Sequence, residues 1–226
     1  MSSTFPQLLL EHAARRPHEP ALRVKEYGIW QTTSWAALAD QVRELAGGFA
    51  AAGMKRNDHL VVVGENRPRL SAAMLAAQTL GAIPIPLYQD AVSAEFVFPI
   101  NNADVRFAVV EDQEQVDKML EIREQCPQLQ HIWFDDPRGL RNYEESGLSS
   151  MDDLQAQGAQ HAAQHPGFFD QAVQQCKPQD VAAMFFTSGT TGNPKGVVHT
   201  HHSLLDRASA GAKFDHLTEQ IGRAHV

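Results

Sequence analysis

The chain has 226 residues, 43% of them hydrophobic and 20% charged, with 19 basic and 27 acidic side chains and a formal charge of −8. This is the composition of an ordinary soluble globular protein with a sizeable core. The acidic balance argues against a nucleic-acid binder, which presents a basic face. Two cysteines, Cys126 and Cys176, are too few for a disulfide scaffold or a cysteine-rich zinc module and fit reduced cytosolic thiols. The N-terminus lacks the basic region and apolar core of a secretory signal, and runs such as residues 181–186 fall far short of a membrane span. A cytoplasmic protein fits these features, with peripheral membrane contact left open.

In chain order, residues 5–15 read as a first helix, and residues 21–25 and 28–33 as a small hairpin beside it. Trp35, Leu38, Ala39, Val42, Ala46 and Phe49 then fall on one helical face, with Ser34 placed to cap its start and Gly53 to end it. Leu60-Val61-Val62-Val63 reads as a strand buried on both faces. Pro68 suits a first helical position; Leu70, Ala73, Met74 and Ala77 follow at helical spacing, with a stop at Gly81. After residues 83–87 and the strand Phe107-Ala108-Val109-Val110, Asp112 and Gln115 form a capping pair for a helix carrying Val116, Met119 and Leu120, closed by Pro127. Ile132-Trp133-Phe134 and residues 181–186 read as further buried strands. Between them, the Gln/Ala/His-rich stretch 155–175, broken at Pro166-Gly167, reads as a solvated surface helix or loop serving as a spacer. Trp30, Trp35 and Trp133 are expected in or near the core. The alternation implies an α/β fold, a layered and mostly parallel sheet with flanking helices.

The chemistry lies in Thr187-Ser188-Gly189-Thr190-Thr191-Gly192-Asn193-Pro194-Lys195-Gly196. Glycines let backbone N–H groups approach an anion closely. Thr187, Ser188, Thr190 and Thr191 carry hydroxyls that donate to phosphate oxygens. Lys195 adds a positive charge that offsets a polyphosphate, and Pro194 stiffens the loop ahead of it. The ligand expected from these residues is a nucleotide polyphosphate; the bland alternative is a hairpin turn, since the same residue types form turns. The Walker loop is excluded because Pro194-Lys195-Gly196 replaces its Gly-Lys-Ser/Thr end. The hydrolase elbow is excluded because Phe186 and Thr190 stand where glycines should flank Ser188.

Residues 187–196 resemble the phosphate-binding signature of the adenylate-forming, AMP-binding enzymes. Gly64-Glu65-Asn66-Arg67, Pro86-Leu87-Tyr88-Gln89-Asp90, the run 101–107 and the run 135–141 further resemble bacterial long-chain fatty-acid-CoA ligases. The resemblance implies the N-terminal part of the large adenylate-forming domain. It implies activation of a carboxylate, a fatty acid or another carboxylic acid, on ATP with Mg2+, followed by transfer of the acyl group to coenzyme A. It assigns Thr187, Ser188, Gly189, Thr190, Thr191, Gly192 and Lys195 to the β- and γ-phosphates, with Thr187 also near the magnesium ion and none of them a nucleophile.

The family's downstream motifs, a Tyr-Gly-x-Thr-Glu-like segment, a Thr-Gly-Asp segment and a lysine-bearing C-terminal domain, do not follow Gly196. Residues 1–220 are therefore expected to be an incomplete adenylating domain, inactive alone. Residues 221–226 are expected to be a non-native tail, because Ile221-Gly222-Arg223-Ala224-His225-Val226 resembles translated sequencing-adapter DNA. Two rivals stand beside this reading: a ligase for another carboxylic acid, and a non-catalytic short nucleotide-binding or interaction protein. His199, His201 and His202 read as a strand end running into a helix start rather than a metal site, because carboxylate and thiol partners at ligand spacing are missing. Asp135, Asp136, Asp152 and Asp153 read as loop and helix-cap residues, and Glu65, Asn66 and Arg67 as a helix-start turn where α/β folds place sites.

Overall fold

The computed structural model describes residues 3–187 and 194–218. The chain opens with α1 (Phe5–Arg15), capped by Thr4, and the antiparallel hairpin β1 (Pro20–Glu26) and β2 (Ile29–Ser34). Positive φ at Tyr27 and Gly28 makes the hairpin's tight turn. Helix α2 (Trp35–Ala51) starts on the Ser34 hydroxyl, which accepts from Ala37 N–H at 3.2 Å, and ends before Gly53 at φ 85°. The chain then alternates through β3 (His59–Val63), α3 (Pro68–Thr79), β4 (Ile83–Leu87), α4 (Ser93–Asn102), β5 (Phe107–Val110), α5 (Gln113–Glu121) and β6 (His131–Phe134). The remainder is β7 (Leu148–Ser150), α6 (Met151–Gln164), α7 (Phe168–Gln175), β8 (Val181–Thr187), β9 (Lys195–Thr200) and α8 (His201–Phe214).

Five parallel strands pair in the order β4-β3-β5-β6-β7. Successive side chains on each strand face opposite layers. Leu60, Val62, Phe107, Val109 and Trp133 enter one core with α1, α2, α3, α6 and α7. Val61, Val63, Ile85, Ala108, Val110 and Ile132 enter the other with α4 and α5. The expected α/β layering and parallel sheet are observed, as are the caps at Ser34 and Asp112 and the helix start at Pro68.

Three expectations are corrected. The stretch 155–175 is helical, one of the two forms expected, but no spacer: it is most of α6 and all of α7, which bury Leu154, Gly158, Phe169 and Val173. Most of its polar residues face solvent, while Phe169 and Val173 enter the first core. Trp30 lies on the outer hairpin, 39% exposed, while Trp133 is buried and Trp35 packs against the first core. Residues 181–186 do not join the parallel sheet; β8 pairs antiparallel with β9, with only Ala182 and Ala183 buried.

The α2–α6 contact is unusually close because glycine meets glycine. A Cβ on Gly158 would stand 1.7 Å from the Glu44 carbonyl oxygen and 2.7 Å from Gly48 N. A Cβ on Gly48 would stand 2.3 Å from the Leu154 carbonyl oxygen. These obstacles are backbone, so the helices must separate to admit a methyl group. Gly158→Ala is expected to destabilise by about 2–3 kcal/mol. Gly211 in α8 has nothing within 4 Å of its Cβ position, so Gly211→Ala is expected to stabilise by up to about 1 kcal/mol. Paired urea melts check both signs.

Candidate functional site

The predicted phosphate-binding segment connects β8 to β9. The strands run in register from Val181 opposite Thr200 to Thr187 opposite Lys195, with an irregularity between Val181 and Ala183. The ladder thus brings Thr187 and Lys195 together as the closing pair, and the Thr187 hydroxyl donates to the Lys195 carbonyl at 3.5 Å. Both side chains are exposed, and among the described residues Lys195 has no ion-pair partner. The other five predicted site residues, Ser188, Gly189, Thr190, Thr191 and Gly192, lie outside the described residues.

One side of the hairpin is anchored. Met184 and Phe186 pack on the second core, and Phe186 meets Phe98 of α4 edge-on at 6.3 Å between ring centroids. Phe185, Val197 and Val198 on the hairpin are exposed. Strand β8 also lies beside β4, yet no ladder joins them among the described residues. Pro84 and Pro86 give β4 two positions without an N–H to donate, which suits an edge strand. The cross-connection that does form is Gln78 Nε2 donating to the Ala182 carbonyl at 2.8 Å.

At the far end of the hairpin, Thr200 caps α8 by accepting from Ser203 N–H at 3.1 Å. His201 is the first helical residue and is 1% exposed. Its Nδ1 accepts from Phe5 N–H at 3.3 Å, and the two rings lie 5.5 Å apart. The sequence reading of a helix start here is observed; the tie to α1, across 196 residues, carried no sequence signal. Burial holds the imidazole down to a pKa of about 4, opposed only in part by Asp180.

A concavity lies elsewhere, at the edge of the parallel sheet. Strand order reverses between β3 and β5, the switch point where open α/β sheets place crevices. A cavity of about 710 Å³ lies there, lined from the β1–β2 hairpin, the start of α3 and the ends of β5 and β6. Glu111 accepts from Arg67 Nε and from Glu65 N–H, both at 2.6 Å. Arg69 pairs with Asp135 at 3.0 Å and Asp152 at 2.7 Å. Arg138 chelates Asp136 and donates to the Tyr27 hydroxyl at 3.2 Å. Burial raises the Asp135 carboxyl against the pull of Arg69, whereas the Arg138 hydrogen bonds lower that of Asp136. The arginines and acids here neutralise each other: Arg67 with Glu111 and Arg69 with Asp135 and Asp152 tie separate segments, Glu65–Arg67 and Asp136–Arg138 pair within their own loops, and Asp153 caps α6 with Ser150. Tyr88 is exposed, and the Gln89 carbonyl accepts from Lys118 Nζ at 2.6 Å.

Neutral His201 sets a pH dependence. The unfolded chain protonates this histidine near its ordinary value of 6.5, the folded chain only near 4. Between those values the unfolded state binds more protons, so stability falls as pH falls through that window and is complete above it. His201→Gln is expected to flatten the slope of unfolding free energy against pH between about 6.5 and 4, measured by urea melts across the range.

The family model for "AMP-binding enzyme" matches residues 9–222. The long-chain-fatty-acid-CoA ligase ACSBG2 of Xenopus laevis is 27% identical over 96% of this chain and 29% of its own length. The long-chain-fatty-acid-CoA ligase FadD15 of Mycobacterium bovis is 24% identical over 84% of this chain and 30% of its own. The chain therefore spans under a third of the length of these curated relatives. Among solved structures, the N-terminal domain of FACL13 from Mycobacterium tuberculosis superposes with a TM-score of 0.69 at 23% identity, covering 93% of this chain and 48% of that one. Acetoacetyl-CoA synthetase from Streptomyces lividans superposes with a TM-score of 0.74 at 21% identity, covering 91% of this chain and 31% of that one. With the family model spanning nearly the whole sequence, the chain belongs to the AMP-binding enzyme family.

Proposed function

We propose that residues 1–220 supply the N-terminal portion of an adenylating domain, and that the whole protein joins a long-chain fatty acid to the α-phosphate of ATP before passing the acyl group to coenzyme A. The observation that carries this reading is family membership over residues 9–222 together with the segment 187–196, rich in glycine and hydroxyls and ending in lysine. The long-chain ligase names of the relatives support the choice of acid. A substrate that partitions into lipid also fits a cytoplasmic enzyme touching the inner membrane face; no helix among the described residues is long and apolar enough to cross a membrane.

In this reading, the hydroxyls of Thr187, Ser188, Thr190 and Thr191 and the backbone N–H groups at Gly189 and Gly192 bind the β- and γ-phosphates. Lys195 adds a point charge that strengthens those bonds. Magnesium, when bound, shields phosphate charge. Held largely by substrate phosphates, it requires few protein ligands. A hydroxyl such as that of Thr187 suits this role. These residues position and stabilise charge; the fatty-acid carboxylate and the coenzyme A thiol are the nucleophiles.

Pyrophosphate release from ATP and palmitate is the test. The whole protein is expected to release it only with a fatty acid present, and Lys195→Ala to slow release by about 100-fold. The 226-residue chain alone is expected to release no more than its own Lys195→Ala variant. Release supported equally by short or aromatic acids would favour the broader ligase reading. Saturable ATP binding with no release from the whole protein would favour a binding module.

A further inference from the structure

The hairpin that carries Thr187 and Lys195 is attached to the domain along one side, through Met184 and Phe186, and at its root, where one residue holds both strands. The Asp180 carboxylate accepts from Lys177 N–H at 2.8 Å and from Arg56 Nη1 at 2.8 Å. The Asp180 carbonyl accepts from His201 N–H at 3.1 Å. The chain entering β8 and the chain leaving β9 therefore meet on Asp180. Burial opposes ionisation of this carboxyl, but the bonds from Arg56 and Lys177 outweigh it and hold it below the ordinary range.

Arg56 comes from the turn between α2 and β3, 124 residues before Asp180. Its Nη2 also donates to the Gln175 carbonyl at 3.2 Å, so the guanidinium clasps both the end of α7 and the start of β8. Gly81 makes room for it. A Cβ at Gly81 would stand 2.8 Å from Arg56 Cζ, and φ of +71° there disfavours any other residue. The brace thus runs from the sheet-and-helix body, over a glycine, to the root of the hairpin.

Geometry makes such a brace matter. From Asp180 to Thr187 the strand extends about 23 Å, so a tilt of about 5° at the root moves the tip by about 2 Å. A misplacement of about 1 Å is enough to cost catalytic groups much of their effect. The pair itself is part-exposed, at 39% and 23% for the two side chains, and such pairs add little to global stability. Its loss should appear at the tip more than in the melting temperature.

We propose that Arg56, acting through Asp180, is a positioning residue that fixes the tilt of the β8–β9 hairpin and hence the placement of Thr187 and Lys195. The nucleotide half of this inference rests on the function proposed above; the brace itself does not.

Three measurements on the 226-residue chain test it: hydrogen–deuterium exchange of the 195–200 amides without nucleotide, the Mg-ATP dissociation constant, and the thermal midpoint. Arg56→Met is expected to speed exchange in β9 on the order of tenfold, with β3 and β5 unchanged. It is also expected to weaken Mg-ATP on the order of tenfold while shifting the midpoint by only a few degrees. Arg56→Lys should recover part of both effects, and Arg56→Asp with Asp180→Arg more than either single change. Unchanged exchange in β9, or equal acceleration throughout the sheet, overturns the brace. Faster exchange with unaltered Mg-ATP affinity overturns the positioning role and leaves Arg56 a structural tie. If the unsubstituted chain binds no Mg-ATP, the dissociation constant is measured on the whole protein with and without Arg56→Met; failure of the whole protein to bind overturns the nucleotide reading, and exchange alone then decides whether Arg56 fixes the hairpin.

Discussion

A parallel sheet has no face to give to water. In β3, Leu60 and Val62 point into one core while Val61 and Val63 point into the other, and all four are essentially excluded from solvent. β5 repeats the arrangement with Phe107 and Val109 against Ala108 and Val110. Two helical layers follow from this constraint, and each layer sets its own requirement. The α2–α6 contact pulls a polar-looking helix into the first layer through Gly47, Gly48 and Gly158. On the other side, Phe96 and Ile100 of α4 and Val116 and Met119 of α5 cover the second.

The hairpin β8–β9 lies outside this layered logic. A two-stranded ribbon is marginal by itself, and its neighbour β4 carries prolines at 84 and 86 and offers no ladder among the described residues. Its order must come from contacts at one side and at its root. Phe186 on Phe98 supplies apolar packing, Gln78 reaches the Ala182 carbonyl, and Arg56 and His201 meet at Asp180. Restraint at the root therefore has to do for this ribbon what ladder pairing does for the strands of the main sheet, and it acts from outside the Gly- and hydroxyl-rich segment itself.

What the sequence disclosed and what it hid divide along contact distance. Caps at Ser34 and Asp112, the stops at Gly53 and Gly81 and the strands around Val61 and Val109 are local, written in residues that touch their own neighbours. The segment 187–196 stands out for the same reason, because its glycines, hydroxyls and lysine are contiguous; its role in binding phosphate is the proposal made above. The burial of helix α6 was hidden because the feature that permits it is an absent side chain at Gly158, which composition reads as weakness. Val181 to Phe186 looked like a central strand because apolar content does not reveal which partner a strand takes; the antiparallel choice depends on β9, beyond the segment. The Arg56–Asp180 and Phe5–His201 ties join residues far apart in sequence, and neither end announces the other.

That division bears on how such a site works. If the groups on the segment only bind and polarise phosphate, then each acts by electrostatics, and electrostatic stabilisation depends on preorganised distance rather than on intrinsic reactivity. A lysine at the end of a ribbon is effective to the extent that the ribbon's angle is fixed before the ligand arrives; otherwise part of the binding energy is consumed in ordering it. The residues that decide the angle are Asp180, Arg56 and His201, none of which belongs to the motif. If the motif binds phosphate as proposed, it specifies the ligand chemistry, and the root of the hairpin, assembled from α1, the α2–β3 turn and the start of α8, governs how firmly Thr187 and Lys195 are held for it.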